Sequence, residues 1–381
     1  MRGKRFLRSV LYFATFFLVI LVGLYCWTAL FEDGSVNPQK KSLSSKQNIV
    51  TDKARLTTPK VDRIKTQGFA RYIGASSKTI ENVFGEPLEK LPSATNIQWW
   101  VYSLNEKYYF KVGIDLLTHK ASSIFVSGKD GLQHEKLRIN MPFKKLVQLS
   151  SLYANFKLNY HEQSFQLELS EDDLNERPLL SFKNSSYAIT YLHPNSKKVY
   201  AIEYLDADML LKKKMYRIVS KTPLPVQFQG ETDWIAMNNM MPADLIRMIN
   251  VKRSLAGTPA LISNDELTQA SQTILDELGE NPKAFLTKEK SHIIKSMLSG
   301  NLNQKQGLYL YGQGIPKKLY KTVGLNRNSF NIYCVAPVYD NSDFFSDAVL
   351  LRLILPKLVS SSSTNIGIAY DRGMLVFIID K

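Results

Sequence analysis

The sequence predicts an α+β protein that carries one transmembrane helix near its N-terminus. Residues 10–31 contain no charged side chain. Their number of apolar residues is close to the roughly 20 that a helix needs to cross the bilayer core. Farther along, short stretches rich in β-branched and aromatic residues predict antiparallel strands, and apolar residues at helical spacing predict helices between them. Helices and sheet mixed in this way are typical of the α+β class.

The charges beside the apolar stretch predict its orientation. Basic residues are in excess before it and acidic residues follow it directly, so tail 1–9 is expected in the cytoplasm and the rest outside. The cell membrane is then the first predicted partner, through this single-pass helix. A cleaved signal peptide is the alternative, although the stretch exceeds the about 7–15 apolar residues of a signal sequence and no clear cleavage site follows.

Composition limits what the exported part contains. The roughly 350 residues after the helix are enough for two domains of common size. Of the two cysteines, Cys26 lies in the apolar stretch and Cys334 far outside it, so no disulfide is expected within the exported part. Cys334 lies in an apolar strand, which predicts a buried, unreactive thiol.

The net charge of +15 raises the question of a polyanionic partner. Basic residues are interspersed with acidic ones and accompany no zinc-finger, RNA-binding or phosphate-loop motif, so no nucleic acid is expected. Anionic lipid headgroups or wall polymers are the alternative, since a basic exterior attracts them over long range. A basic surface that is merely solvated explains the charge equally well.

The polar stretch 32–67 is predicted to be a linker, and the first domain follows at 68–221. Ser76 is suited to cap a short helix that Gly85 ends. After it, three strands form a predicted meander, at residues 97–104, 108–115 and 122–127.

A similar order of elements then returns, which predicts an internal repeat. A periodic apolar stretch at 141–152 precedes strands near residues 179–182, 187–192 and 198–204. Tyr109 and Ile124 in the first set, and Tyr187 and Ile202 in the second, are separated by the same interval of about 15 residues. A chance match is the alternative.

Two prolines within residues 222–225 mark a boundary, and a second domain is predicted at 226–381. Its first helix is expected to open at Pro242 and to end at Gly257, and Asn264 is suited to cap the next. Further helices are predicted at 284–298 and 343–355. Strands are predicted at 330–335, 365–370 and 374–379, the last two joined by a tight turn.

These residues resemble a known pair of domains. The first domain resembles the CAP-associated N-terminal domain in its motifs Ile73-Gly74-Ala75-Ser76, Phe84-Gly85-Glu86-Pro87, Trp99-Trp100-Val101-Tyr102 and Val112-Gly113-Ile114. The second resembles the CAP (SCP-like) domain of exported Gram-positive proteins in Leu245, Asn250, Arg253, Leu261, Leu267, Ala270 and Ile366-Gly367-Ile368. The resemblance implies an α-β-α sandwich for the second domain.

The resemblance also implies where a metal would bind, and there the sequence departs from it. Metal-binding members use two histidines and two acidic residues, but residues 350–359 contain no histidine where the second is expected. His292, with Glu280 and Glu289 nearby in sequence, is a weak candidate because one imidazole cannot replace two. We therefore expect a degenerate CAP domain without metal or cofactor.

Three aromatic residues form a candidate interaction surface, Trp99, Trp100 and Tyr102. Because side chains of a strand alternate between faces, Trp99 and Trp100 should point in opposite directions, one into the core and the other outward. An exposed aromatic ring would suit a sugar or a protein partner. Ordinary packing on both faces of the sheet is the favoured interpretation, and an exposed interaction surface is the alternative.

The expected function is a membrane-anchored, extracytoplasmic, non-catalytic interaction or scaffold protein of the cell envelope. Its partner is expected to be an envelope protein or an anionic wall polymer. No serine or cysteine nucleophile stands out with a base and an orienting group. A cell-wall hydrolase that uses His292 in an altered site is the alternative, as is simple binding of anionic polymer or lipid.

Overall fold

The structure is a computed structural model that describes residues 61–129, 136–226, 232–299, 307–347 and 349–381. All of them belong to one compact unit that spans residues 45–381. The predicted tail 1–9, the predicted membrane helix 10–31 and most of the predicted linker 32–67 lie outside the described residues. Among the described residues, no helix combines the length and the apolar character that crossing a bilayer requires.

The first domain begins with a 3-10 helix, Gly68–Tyr72, and continues with strands and short helices. In chain order these are α1 (Ser77–Phe84), β1 (Glu89–Leu91), β2 (Ile97–Asn105), β3 (Tyr108–Asp115), β4 (Ala121–Val126), α2 (Phe143–Leu149), β5 (Asn155–Tyr160), β6 (Gln163–Glu168), α3 (Glu171–Glu176), β7 (Leu179–Ser181), β8 (Tyr187–Leu192), β9 (Val199–Leu205), α4 (Ala207–Lys213) and β10 (Arg217–Val219).

The second domain alternates longer helices with strands. In chain order these are α5 (Trp234–Leu255), β11 (Ile262–Ser263), α6 (Asp265–Glu280), α7 (Lys288–Leu298), β12 (Leu308–Leu310), α8 (Lys317–Thr322), β13 (Phe330–Ala336), α9 (Asp343–Ser346), a π-helix (Leu350–Ile354), α10 (Leu355–Val359), β14 (Asn365–Asp371) and β15 (Met374–Asp380).

A seven-stranded antiparallel sheet, in the order β1-β2-β3-β4-β9-β8-β7, forms the centre of the first domain. It consists of two meanders that meet where β4 pairs with β9. Ile124 lies opposite Val112 in one meander, and Ile202 lies opposite Thr190 in the other. In both meanders, the isoleucine therefore lies opposite the residue three positions after the matching tyrosine.

A small three-stranded sheet, β10-β6-β5, was missed in the sequence. Phe156, Leu158, Phe165 and Leu167 alternate along its hairpin and are buried. The turn residues His161 and Glu162 adopt left-handed backbone angles, with φ of 46° and 60°. Asn-Gly or Asp-Gly is the usual sequence for such a turn, so the hairpin carries no turn signal.

The second domain is built on a five-stranded sheet in the order β11-β14-β15-β13-β12. Helices α6 and α7 pack on one face, and α5, α9, the π-helix and α10 pack on the other. Asn264 caps α6 by accepting a hydrogen bond from the Leu267 amide at 2.9 Å, as predicted. A sheet covered by helices on both faces is the α-β-α arrangement that the resemblance implies.

Two helices of the second domain differ from the prediction. Helix α5 begins eight positions before Pro242 and contains that proline. Asp233 caps this earlier start, and Met237 and Met241 in the first turns are buried in the core. The predicted helix 343–355 is broken into three pieces. Asp347 accepts hydrogen bonds from the Val349 and Leu350 amides at 2.8 and 2.9 Å and so starts a new turn there.

One apolar core passes through both domains without interruption. It includes Trp99 and Phe125 from the first sheet, Leu245 from α5, and Tyr333 and Phe377 from the second sheet. Two further cores cover the outer faces of the two sheets. Within the described residues, α5 and its neighbouring helices therefore lie between the two sheets.

Candidate functional site

The candidate interaction surface of three aromatic residues is buried. Trp99, Trp100 and Tyr102 are 3%, 7% and 3% exposed. The Lys111 ammonium lies 4.4 Å from the ring of Trp99, and the Lys90 ammonium lies 4.3 Å from that of Trp100. The two indoles point to opposite faces, and packed layers cover both faces of the sheet, which agrees with ordinary two-sided packing rather than with an exposed aromatic ring.

The other candidate residues, His292 and Cys334, do not come together in one site. His292 is exposed on α7, and its Nε2 atom lies 3.4 Å from the Ser296 hydroxyl of the same helix. The described residues hold no group of three or more histidine, cysteine or acidic side chains able to bind a metal. Cys334 is buried in β13, and burial raises the pKa of its thiol to about 12.

A polar seam, absent from the sequence prediction, joins the first sheet to the helix layer of the second domain. At its centre the fully buried Asp244 of α5 accepts hydrogen bonds from the Tyr109 hydroxyl at 2.7 Å and the Asn341 amide at 3.0 Å. Arg247 lies 3.2 Å from Asp244 and 3.0 Å from Glu89. Burial, together with the charge of Asp244, raises the pKa of Tyr109, so the phenol keeps its proton and donates.

The seam continues as a buried cluster of opposite charges. Lys111 pairs with Asp340 at 2.6 Å, and Lys213 pairs with Glu203 at 2.9 Å and lies 3.8 Å from Asp343. Burial alone would raise the pKa of Asp340, but the two ammonium groups outweigh it and lower that pKa. Burial raises the pKa of Asp343 to about 6. Charges buried in this way are tolerated because each has a partner of opposite sign.

These contacts make the seam a structural site. Across the domain boundary, Asp244 accepts from Tyr109 and Asp340 pairs with Lys111. The Asp343 side chain is 40% exposed and lies at the edge of the seam. Removal of one partner would leave an uncompensated buried charge, which costs about 3–5 kcal/mol. The seam therefore fixes one relative placement of the first sheet and α5.

An acidic cleft of about 650 Å³ lies at the edge of the first domain. Its walls include Asp115, Asp206 and Asp208. Asp208 accepts a hydrogen bond from the Tyr160 hydroxyl at 2.6 Å and forms an ion pair with Lys212, also at 2.6 Å. Burial raises the pKa of Asp206 to about 7, which keeps this carboxyl largely protonated in mildly acidic solution.

A second cavity, of about 450 Å³, lies where the two domains meet. Lys252 of α5 reaches it and is 3% exposed. Its ammonium donates to the carbonyl oxygens of Ser127 and Tyr200, both at 2.5 Å, and lies 3.9 Å from the Tyr200 ring. Burial lowers the pKa of Lys252 to about 7.

Sequence reasoning missed these groups because their partners are far apart in the chain. Lys111 and Asp340 are separated by 229 positions and Tyr109 and Asp244 by 135. The one local signal is in α5, where Lys252 directly follows apolar positions that are buried. A lysine within an apolar helical stripe indicates an unusual environment.

The described residues form two domains on two antiparallel-rich sheets, and hold no group of three or more side chains able to bind a metal. Residues 73–216 match the family described as CAP-associated N-terminal. This match confirms the resemblance that the sequence motifs of the first domain predicted.

The chain is similar to proteins of three Gram-positive bacteria, two of them with solved structures of the same fold. The chain is 26% identical over 243 residues to an uncharacterized membrane protein of Bacillus subtilis, YlbC, covering 63% of this chain and 68% of that protein. The crystal structure of an extracellular SCP-domain protein of Bacillus anthracis is 17% identical with a TM-score of 0.63, covering 87% of this chain and 99% of that one. That of a cysteine-rich secretory protein of Staphylococcus aureus is also 17% identical, with a TM-score of 0.64 and coverages of 84% and 95%.

Proposed function

We propose that this protein is a membrane-anchored, extracytoplasmic binding or scaffold protein of the CAP class that acts without catalysis. The observation that carries the proposal is the polar seam together with the shared core, which joins the CAP-associated domain and the CAP-like domain into one body. A body of this kind presents a fixed surface to a partner. Fixed, preorganised surfaces favour binding because less conformational freedom is lost on association.

The anchor is supported by the sequence and by one relative. Residues 10–31 have the length and apolar character of a membrane span, with the basic side toward the N-terminus. YlbC of Bacillus subtilis carries the description of a membrane protein. The B. anthracis protein of the same fold is described as extracellular. Together they support a cytoplasmic N-terminus and exported domains.

A non-catalytic role is supported by the state of the candidate reactive groups. His292 is exposed and contacts a serine of its own helix, whereas a catalytic histidine is normally oriented by a second group. The raised pKa of Cys334 keeps its thiol protonated near neutral pH, and the thiolate is the nucleophilic form. The buried carboxylates of the seam are held by donors.

The test uses the full chain in a Gram-positive host, with one tag at each end. Membrane fractionation should recover both tags, and protease added to protoplasts should remove the C-terminal tag while the N-terminal tag persists. Release of the protein into the medium with loss of the N-terminal tag would instead establish a cleaved signal peptide.

Crosslinking in the same cells tests the binding role. We expect one reproducible envelope protein, recovered equally by the wild type and by His292→Ala. Recovery of wall polymer that declines steeply with added salt would favour binding through the net charge of +15 instead. A wall-degrading activity lost in His292→Ala would overturn the non-catalytic proposal.

A further inference from the structure

The cavity between the two domains has a wall from each of them. The first domain contributes Ile139, Asn140, His193 and Tyr200, and the second contributes Lys252, Leu255, Ala256, Leu351, Leu355, Pro356, Val359 and Ser360. Most of these side chains are apolar. The polar groups are few, which is the usual composition of a small-molecule site.

The cation in this cavity differs from the other enclosed lysines among the described residues, although the buried Arg253 beside it in the chain likewise donates only to carbonyl oxygens. Lys111, Lys212 and Lys213 each pair with a carboxylate within 3 Å. Lys252 forms no ion pair with the described residues and is surrounded by two carbonyl oxygens and the rings of Tyr200 and Phe345. A buried charge without a counter-charge is costly, so this position gains from any anion that reaches it.

A second donor, His193, lines the cavity from the first-domain wall. The Nδ1 atom of His193 accepts hydrogen bonds from the backbone amides of Asn195 and Ser196, at 3.2 and 3.3 Å. In the neutral ring the proton is therefore on Nε2, which leaves Nε2 as a donor. Burial lowers the pKa of His193, and the nearby charge of Lys252 lowers it further, so an anion between the two groups would be attracted by both.

We propose that this cavity binds a small amphiphile with one anionic group on an apolar body. The anionic group lies between Lys252 and His193, and the apolar body packs against Leu255, Leu351 and Leu355. A carboxylate and a phosphate share the chemistry that these donors recognise. The site needs both domains, and it does not depend on the membrane anchor or on the scaffold role.

The experiment follows the reactivity of Lys252 in the full chain reconstituted in nanodiscs. The protein is labelled by reductive methylation, with and without octanoate, and Lys252 is quantified by peptide mass spectrometry. A bound carboxylate keeps the amine protonated and covers it, so at a labelling pH below the lysine pKa octanoate should slow labelling about tenfold for each unit by which it raises that pKa. Octyl phosphate tests the alternative head group, and acetate and inorganic phosphate test the anion without an apolar body.

Thermal unfolding of the same samples gives an independent reading. Octanoate should raise the midpoint of the wild type and of Lys357→Met, which replaces an exposed lysine of α10, but not that of Lys252→Met. Octanol and octylammonium should have no such effect. An equal effect of octanol, or the same midpoint shift in Lys252→Met as in the wild type, would overturn the proposal. So would a Lys252 reactivity and a wild-type midpoint that neither octanoate nor octyl phosphate changes.

Discussion

The hydroxyl of Tyr109 donates a 2.7 Å hydrogen bond to the carboxylate of Asp244, a residue 135 positions later in the chain. Tyr109 lies in β3 of the first sheet and Asp244 lies in α5 of the second domain. Both are fully buried. This bond is therefore a buried contact between the two domains, and its removal reports what the contact contributes to the free energy of unfolding.

Tyr109→Phe should destabilise the protein by about 1–3 kcal/mol, because a buried carboxylate loses a donor while the packing of the ring is kept. Urea unfolding measures the loss. Tyr108→Phe, at the neighbouring and less buried position in β3, is the control and should change stability by less than about 0.5 kcal/mol. Equal stability of Tyr109→Phe and the wild type would show that Asp244 does not need this donor.

Lys252→Met should change how stability depends on pH. The folded pKa of Lys252 is about 7, below its usual value of 10.5, so the unfolded state binds more protons between these pH values. The wild type therefore gains stability from this group as pH rises through that window, by about 2–4 kcal/mol. Lys252→Met should lack that gain. Unfolding curves at pH 6.5 and 9.5 compare the two slopes, and parallel slopes would contradict the prediction.

Asp206→Asn should have the opposite dependence. The folded pKa of Asp206 is about 7, above its usual value of 3.8, so the folded state binds the extra proton and the wild type loses stability as pH rises between them. Asparagine keeps an oxygen that can accept from the Met209 amide at the start of α4. The variant should therefore equal the wild type near pH 4 and exceed its stability by about 1–2 kcal/mol at pH 8.

The control for Asp206 is Asp276→Asn, at an exposed position of α6. Its difference from the wild type should stay nearly constant between pH 4 and pH 8. A difference for Asp206→Asn that also stays constant with pH would show that its carboxyl is already ionised in the folded protein at low pH.

Gly367→Ala should be severely destabilising. An added Cβ would lie 2.1 Å from the Leu267 carbonyl carbon and 2.2 Å from the Thr268 nitrogen, so α6 could not pack on β14 at its present distance. We expect a loss of about 3 kcal/mol or more, read from the thermal midpoint. Gly279→Ala, whose Cβ would meet only Leu298 at 3.8 Å, should be neutral or stabilising because alanine favours helix. A stable Gly367→Ala protein would show that the helix can move outward.

Local patterns in the sequence predicted most elements of the two large sheets. The capped helix α1, the meanders and the hairpin of β14 and β15 depend on neighbours within a few residues, and those signals are visible in one dimension. The start of α5 was misplaced because Pro242 usually marks a first turn, whereas here Asp233 caps a longer helix and buried methionines stabilise it.

The candidate site was harder to predict for a physical reason. A strand that alternates large aromatic residues can have one face in water or both faces covered. The layer that contains α5 covers Trp99, and the layer that contains α1 covers Trp100 on the opposite face. Similarly, Lys252 is an ordinary basic residue in the sequence. Its lack of a carboxylate partner is a property of elements more than 50 positions away, such as the Tyr200 carbonyl.

The unbroken core has a consequence for the connection between the domains at residues 222–226. The halves are held together by Trp99, Phe125 and Leu245, and by the pairs of the seam, rather than by this short segment. A chain cleaved there by a protease should remain a single particle. Its two fragments should separate only when the shared core unfolds. In the same way, a hybrid that receives the first domain from a related chain should fold only if the matching helix α5 is transferred with it.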